Sequence, residues 1–564
     1  MTDHVEDHPC HRVRRKSLDS DSESQPLLSS DHSCTSLYDA TTSGVFRYDS
    51  ESDWDADINK QQQQQDVNAA KKESLLGAFR SISLQHKKRG VAVYNRKAFS
   101  YTPAPKYIEF WRSEQVTTGF SPVISQSMHK IATQSSIVTI FSIWNTMMGT
   151  SLLAMPWGVG RAGILMSVFL FILMGMICLY TAQTMISVQK KHGDKHIGEM
   201  AELCRVLLGW PGEIIAKVSS IIVLLGANII YFVLMSNFLY YSVTFIYHFG
   251  DELLIGGNST LIGVEVCPGN ETSPEFERSY AEPSTFNQIW QLHNTVPLFL
   301  SLFLAPLLNF KSVTFFTKFN SFGTLSAMYL VIFVLTKSVF WGLRVDFDHE
   351  DSPYFSPLIS ANFAATTGML PLSFFIHSIV ITLMRHNKDQ TKNYRDLSLA
   401  YGLVGLTYCL VGVMFYLCFP LAKSCIDDNL LNNFQNRDLM TVIARGFIFF
   451  QLLTVFPLIM YMLRIQIFAA LEFSHYPSFF HVIFLNAIIV GICVSFAVFF
   501  PKIGTLLRYT GALGGAICVF TIPSLLYIAS EKKENRLSWF TLIVHSIIPL
   551  TGFVNFLAQF FVKD

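Results

Sequence analysis

Ile143-Trp144-Asn145-Thr146-Met147-Met148-Gly149-Thr150-Ser151-Leu152 decides how this chain is read, because it sets polar and small residues in the middle of an apolar run. The surrounding stretch, 134–157, is close to the ~20 residues that cross a bilayer core as a helix. At that depth no water satisfies the backbone, so a polar cluster is either a packing seam or a break that lines a site. If 145–150 unwinds, amides opening the second half-helix can hold a carboxylate. Carbonyls closing the first half can hold an ammonium group or Na⁺. Spacing alone leaves both readings open.

Similar apolar stretches follow at 162–189, 211–248, 292–310, 316–342, 361–384, 397–420, 438–471, 478–500, 504–530 and 538–561. The expectation is an all-α polytopic membrane protein of about eleven transmembrane helices. Two stretches are irregular: 292–310 is short and carries Pro297 and Pro306, and Pro501 leaves almost no loop between spans nine and ten. Ile197, Met200, Ala201, Cys204, Leu207 and Leu208 recur at helical spacing among charged residues, which predicts an interfacial helix between spans two and three.

Five spans after the first break, Thr366-Thr367-Gly368-Met369-Leu370-Pro371-Leu372-Ser373-Phe374-Phe375-Ile376-His377 is again apolar but interrupted. Matching interruptions in spans one and six suggest an inverted five-plus-five repeat around a midplane site, with the eleventh helix outside it. His377 can gate or couple protons, although a neutral packing histidine is commoner. Thr454 in span eight can add a hydroxyl oxygen to a hard-cation site, or simply bond its own helix. Arg445, Arg464 and Arg508 lie toward span ends, where they are expected to snorkel in structural roles. No Asp or Glu falls in the middle of spans one, three, six, eight or ten, which favours neutral substrates.

Composition agrees. The 564 residues are 51% hydrophobic and only 15% charged, where soluble domains carry about 25% charged residues. Lys+Arg 42 against Asp+Glu 41 leaves no basic excess for nucleic acid. The ten cysteines show no zinc spacing. No grouping of nucleophile, base and orienting acid marks an enzyme. Residues 1–130 are polar and include Gln61 to Gln65, which reads as a mostly disordered cytosolic tail ahead of a transporter domain at 131–564.

Lys and Arg gather at 190–196, 311–318, 385–395 and 531–536, so these loops are placed in the cytosol and the C-terminus opposite. The long loop 249–291 is then luminal. It holds two glycosylation acceptors, Asn258 and Asn270. Cys267 in that loop and Cys425 after span seven face the same oxidising compartment and are expected to pair.

Trp144-Asn145-Thr146-Met147-Met148-Gly149-Thr150, Pro306-Leu307-Leu308-Asn309-Phe310-Lys311-Ser312, Phe374-Phe375-Ile376-His377 and Thr454-Val455-Phe456-Pro457-Leu458 resemble the sodium-coupled neutral amino acid transporters, solute carrier family 38. The resemblance covers most of 134–561. It implies an amino acid/polyamine transporter fold, broken at helices one and six, that moves amino acids. The substrate segment would be Asn145, Thr146, Met147, Met148, Gly149 and Thr150, with Phe374, Phe375 and His377 from helix six. Na⁺ would meet the carbonyls of Trp144 and Met147 and the Thr454 hydroxyl, with Asn145 nearby. The same resemblance supports the Cys267 to Cys425 pairing.

In a lysosomal, arginine-sensing branch of that family, a cytosolic tail docks onto the Rag GTPase–Ragulator complex and signals to the target-of-rapamycin growth kinase. Val93-Tyr94-Asn95-Arg96, Pro103 and Pro105 resemble part of that tail, and Glu23-Ser24-Gln25-Pro26-Leu27-Leu28 resembles an acidic dileucine sorting signal. The leading expectation is therefore a lysosomal or late-endosomal carrier of arginine, leucine or glutamine, driven or modulated by Na⁺ and embedded among membrane lipids. The alternative is a receptor-like amino acid sensor acting through its tail.

Overall fold

The computed structural model describes residues 134–192, 199–255, 265–268, 285–309, 322–471, 473 and 477–562. The tail, Asn258, Asn270 and the loop 311–318 lie outside the described residues.

The apolar stretches are helices. In chain order they are α1 (Ser136–Met147), α2 (Ser151–Ala162), α3 (Ile164–His192), α4 (Met200–Ile255), α5 (Val296–Leu308), α6 (Phe322–Trp341), α7 (Phe363–Ser373), α8 (Val380–Arg385), α9 (Asn393–Cys418), α10 (Leu439–Ala470), α11 (Phe479–Phe499), α12 (Ile503–Gly514) and α13 (Trp539–Ala558). A π-helical segment, Gly515–Thr521, and a further α-helix, Ile522–Lys533, continue α12. Among the described residues, eight helices are long and apolar enough to cross a membrane, and the bent pair α1–α2 makes a ninth. The expected spans at 292–310 and 361–384 are represented by the short α5 and the divided α7–α8. Extended structure in the described residues is limited to three isolated bridges.

Leu165, Phe169, Ile172 and Met176 are exposed along one stripe of α3, the face a helix offers to lipid. The segment from Met200 is helical, and α4 bends at Gly209, whose φ of 75° suits glycine, just before Pro211.

Ends of helices alternate between two faces. On one, the backbone of Gln134 bonds His386 and Lys388 at 2.8 and 2.9 Å, Arg395 reaches Ser136, and Lys191 pairs with Glu531 at 2.7 Å. This face carries the described parts of the basic segments, at 190–192, 385–395 and 531–536. On the other, Cys267 and Cys425 form the expected disulfide, Trp341 donates to Glu265, and Gly504 donates to Asp428.

The three arginines expected to snorkel are instead buried, each about 1% exposed. Carbonyls that helix ends leave unsatisfied explain this. Arg445 donates to the carbonyls of Leu431 and Phe434, Arg464 to that of Leu308, and Arg508 to that of Gln559. Each guanidinium also lies over a tyrosine ring. Their structural role holds, by a different route.

Candidate functional site

The first span does break, but later than the sequence suggested. Helix α1 continues through Asn145, Thr146 and Met147, the chain turns at Met148, and α2 starts at Ser151, bent by 64°. The Met147 carbonyl, one of those ending α1, accepts from Gly149 N at 2.8 Å and from the Tyr408 hydroxyl at 2.7 Å. Among the first amides of α2, Leu152 and Leu153 already donate to the carbonyls of Gly149 and Thr150 at 3.3 and 3.2 Å.

The sixth span is also displaced from expectation. Helix α7 passes through Gly368 and Pro371 and ends at Ser373; 374–379 is irregular before α8. Pro371 cannot donate to the Thr367 carbonyl, yet Asn555 of α13 does so at 3.0 Å, so the helix survives its proline. Small residues let neighbours close in: Gly511 of α12 lies so near the Gly368 carbonyl that a Cβ would overlap it.

Helix α9 ties the two breaks together, a role the sequence did not reveal. Tyr408 contacts the Ser373 carbonyl at 2.9 Å as well as that of Met147, although a phenol carries one proton to share between them. Tyr401, two turns earlier on the same side, donates to the Phe374 carbonyl at 3.1 Å and stacks on its ring. Thr407 accepts from the Trp144 indole at 3.1 Å. Both tyrosines fall in an apolar stretch where they read as packing residues, so only the fold identifies them.

Met148, Gly149, Thr150, Tyr231, Ser326 and Gln451 line a cavity of about 20 Å³. That volume suits a single water, and its walls must move to admit an amino acid. A Cβ on Gly149 would stand 3.2 Å from the Tyr231 hydroxyl.

The remaining expected site residues divide. Thr146 is exposed and donates to the Ser142 carbonyl. Phe374 is buried against Tyr401, whereas Phe375 lines a separate cavity with Ser378, Lys217 and Gln466. His377 is fully buried and meets Thr181 of α3 at 2.9 Å, away from the residues lining the Gly149 cavity.

The four groups expected around Na⁺ are all oxygen donors, which suits a hard cation. The Trp144 carbonyl accepts from Met148 N, the Met147 carbonyl is engaged as above, and Thr454 donates to the Gln451 carbonyl at 2.8 Å. Carbonyls keep a second lone pair for a further partner. Asn145 Oδ1 is buried with no hydrogen-bond partner, and both it and the Gln451 amide border Gly323 of α6. An orphaned buried oxygen between three helices is what a small cation would satisfy.

The family model for transmembrane amino acid transporter proteins matches residues 132–562. Neutral amino acid transporter 9 of Rattus norvegicus is 42% identical over 446 residues, covering 76% of this chain and 79% of that protein. Its counterpart in Danio rerio is 40% identical over 442 residues, covering 76% and 80%. The sodium-coupled neutral amino acid transporter 9 homolog of Caenorhabditis elegans is 40% identical over 451 residues, covering 76% and 73%.

Proposed function

Because this chain belongs to the transmembrane amino acid transporter family, we propose that it is a secondary carrier of amino acids, working by alternating access around its two broken helices. The observation that carries this reading is the Tyr408 hydroxyl held between the carbonyls that end α1 and α7. Neutral amino acids are the favoured substrates, in keeping with the names of the relatives. Leucine and glutamine are candidates on that ground, and arginine remains one through the resemblance of the motifs.

Na⁺ drives or modulates the cycle in this proposal, supported by the orphaned Asn145 oxygen and by the sodium-coupled relative. A lysosomal or late-endosomal location is supported by Glu23 to Leu28. Contact with Rag GTPase–Ragulator, and signalling to the target-of-rapamycin kinase, is supported by Val93 to Arg96. The basic loops favour their placement in the cytosol.

The experiment is uptake of labelled leucine, glutamine and arginine into proteoliposomes, with and without Na⁺ and a pH gradient, by the wild type and by Thr150→Trp. Thr150 borders the cavity, and an indole there fills the space into which substrate must move. Saturable uptake that the substitution abolishes is expected. Undiminished uptake by a folded Thr150→Trp protein refutes the site, and binding without flux refutes the carrier in favour of a receptor-like sensor.

A further inference from the structure

A further, separate cavity lies on the disulfide face. It is about 450 Å³, walled by α2, α4, the start of α12 and the connection that carries Cys425. Its polar lining is of both signs. Asp427 and Asp428 enter from the α9–α10 connection, Arg161 from α2, Lys502 from the turn before α12, and His293 from the segment before α5.

The acidic pair is anchored. Asp428 accepts from Gly504 N at 2.8 Å, and Asp427 from Asn429 N and the Asn432 amide at 2.9 and 3.0 Å. Asn429 in turn donates to Asn237 of α4 at 3.2 Å, which fixes the connection against that helix. Beside Asn237, Ser236 lines the same cavity, is 3% exposed, and its Oγ has no hydrogen-bond partner. A buried hydroxyl left bare at a polar cavity points to a ligand that completes it.

We propose that this vestibule is a second binding site for a free amino acid, its ammonium group held by Asp427, Asp428 and the Ser236 hydroxyl and its carboxylate by Arg161 and Lys502. The site rests on the carrier reading above but does not coincide with the cavity at Gly149. A zwitterion fits the lining because acidic and basic groups both reach it, so neither end enters against uncompensated like charge. Arg161 lies over the Trp157 ring at 5.2 Å, which steadies the guanidinium at the rim. Burial and the neighbouring Asp427 push the Asp428 carboxyl up to about 8, and the two acids are hydrogen bonded to each other. The arriving ammonium takes the place of the proton between them. Substrate would thus be gathered near the mouth before it reaches the broken helices.

The test is binding stoichiometry of labelled L-leucine and, separately, L-glutamine to the full chain in lipid nanodiscs at saturating probe. The wild type is expected to bind two equivalents. Thr150→Trp keeps the vestibule equivalent; Ser236→Leu, which fills the cavity without changing charge, keeps the other, and so does Asp427→Asn with Asp428→Asn. Competition at the equivalent retained by Thr150→Trp checks the chemistry. Isopentylamine and 4-methylpentanoate, each carrying one of leucine's two charges, should compete at least tenfold less well than leucine. A single wild-type equivalent lost in Thr150→Trp and untouched by Ser236→Leu overturns the vestibule and spares the carrier reading. A single equivalent that survives Thr150→Trp but is lost in Ser236→Leu supports the vestibule and overturns the central site. Equal competition by the amine alone overturns the zwitterion assignment.

Discussion

Replacing Tyr408 with phenylalanine removes one oxygen from the point where the two broken helices meet and leaves the ring in place. That oxygen is fully buried and lies 2.7 Å from the Met147 carbonyl and 2.9 Å from the Ser373 carbonyl. Since the hydroxyl has one proton, the loss is one shared hydrogen bond, plus the cost of the Ser373 carbonyl losing this donor, while the Met147 carbonyl keeps Gly149 N. Together these amount to about 1–3 kcal/mol. If the bond forms in only one of the alternating conformations, the population of that state shifts roughly 5- to 150-fold.

The assay is the initial rate of amino acid uptake into proteoliposomes, set beside thermal unfolding of the same preparation. Tyr401→Phe is the comparison, because its hydroxyl holds only the Phe374 carbonyl. Tyr408→Phe should slow uptake by at least fivefold while Tyr401→Phe chiefly lowers the melting temperature. Uptake within twofold of wild type in a destabilised Tyr408→Phe protein would refute the idea that this hydroxyl couples the helices. Tyr408 would then be a structural tie like Arg508.

Three other outcomes follow from the geometry. Gly511→Ala places a methyl against the Gly368 carbonyl, which is backbone and has little room to retreat, so it should destabilise by about 1–3 kcal/mol; an unchanged melting temperature would mean that α7 and α12 part freely. Cys425→Ser opens a ring closed over a separation of 158 residues, for which the chain-entropy relation gives roughly 5 kcal/mol, and unfolding of the variant should match that of the reduced wild type. Asp428 binds its proton more tightly folded than unfolded, so its contribution to stability falls as pH rises from the usual carboxylate range near 4 through about 8. The wild type should therefore lose stability relative to Asp428→Asn across that window, and parallel pH curves would contradict the shared proton.

Much of this architecture was legible because apolar length and interruption are local properties. The cluster Asn145 to Thr150 marked a place for either a break or a packing seam, and Cys267 and Cys425 could be paired from the side of the membrane each was assigned. What could not be read is where each break falls. Asn145 and Thr146 stay helical because α1 still finds its own bonds as far as Met147, and Pro371 stays helical because Asn555, far away in sequence, supplies the donor it lacks. Arg445 was expected at the interface because its carbonyl partners at Leu431 and Phe434 follow from tertiary placement alone. The vestibule left only faint marks, the consecutive Asp427-Asp428 and a Ser236-Asn237 pair inside an apolar run. Neither becomes a site until α4 meets the connection after α9.

The two faces differ in how they hold the broken spans together. On the basic face, the backbone ahead of α1 is stitched to the turn after α8 by the paired bonds of Gln134, so the outer ends of both broken spans are held together there. On the disulfide face, α2 is joined to α7 through Thr366 and the Gly158 carbonyl at 2.6 Å, yet a vestibule of about 450 Å³ stands beside it. The two broken spans are thus tied to each other at both faces, by the Gln134 bonds at one and by Thr366 at the other. Tyr408 on α9 joins the inner ends of the same two spans, its single proton serving the Met147 or the Ser373 carbonyl at any one time.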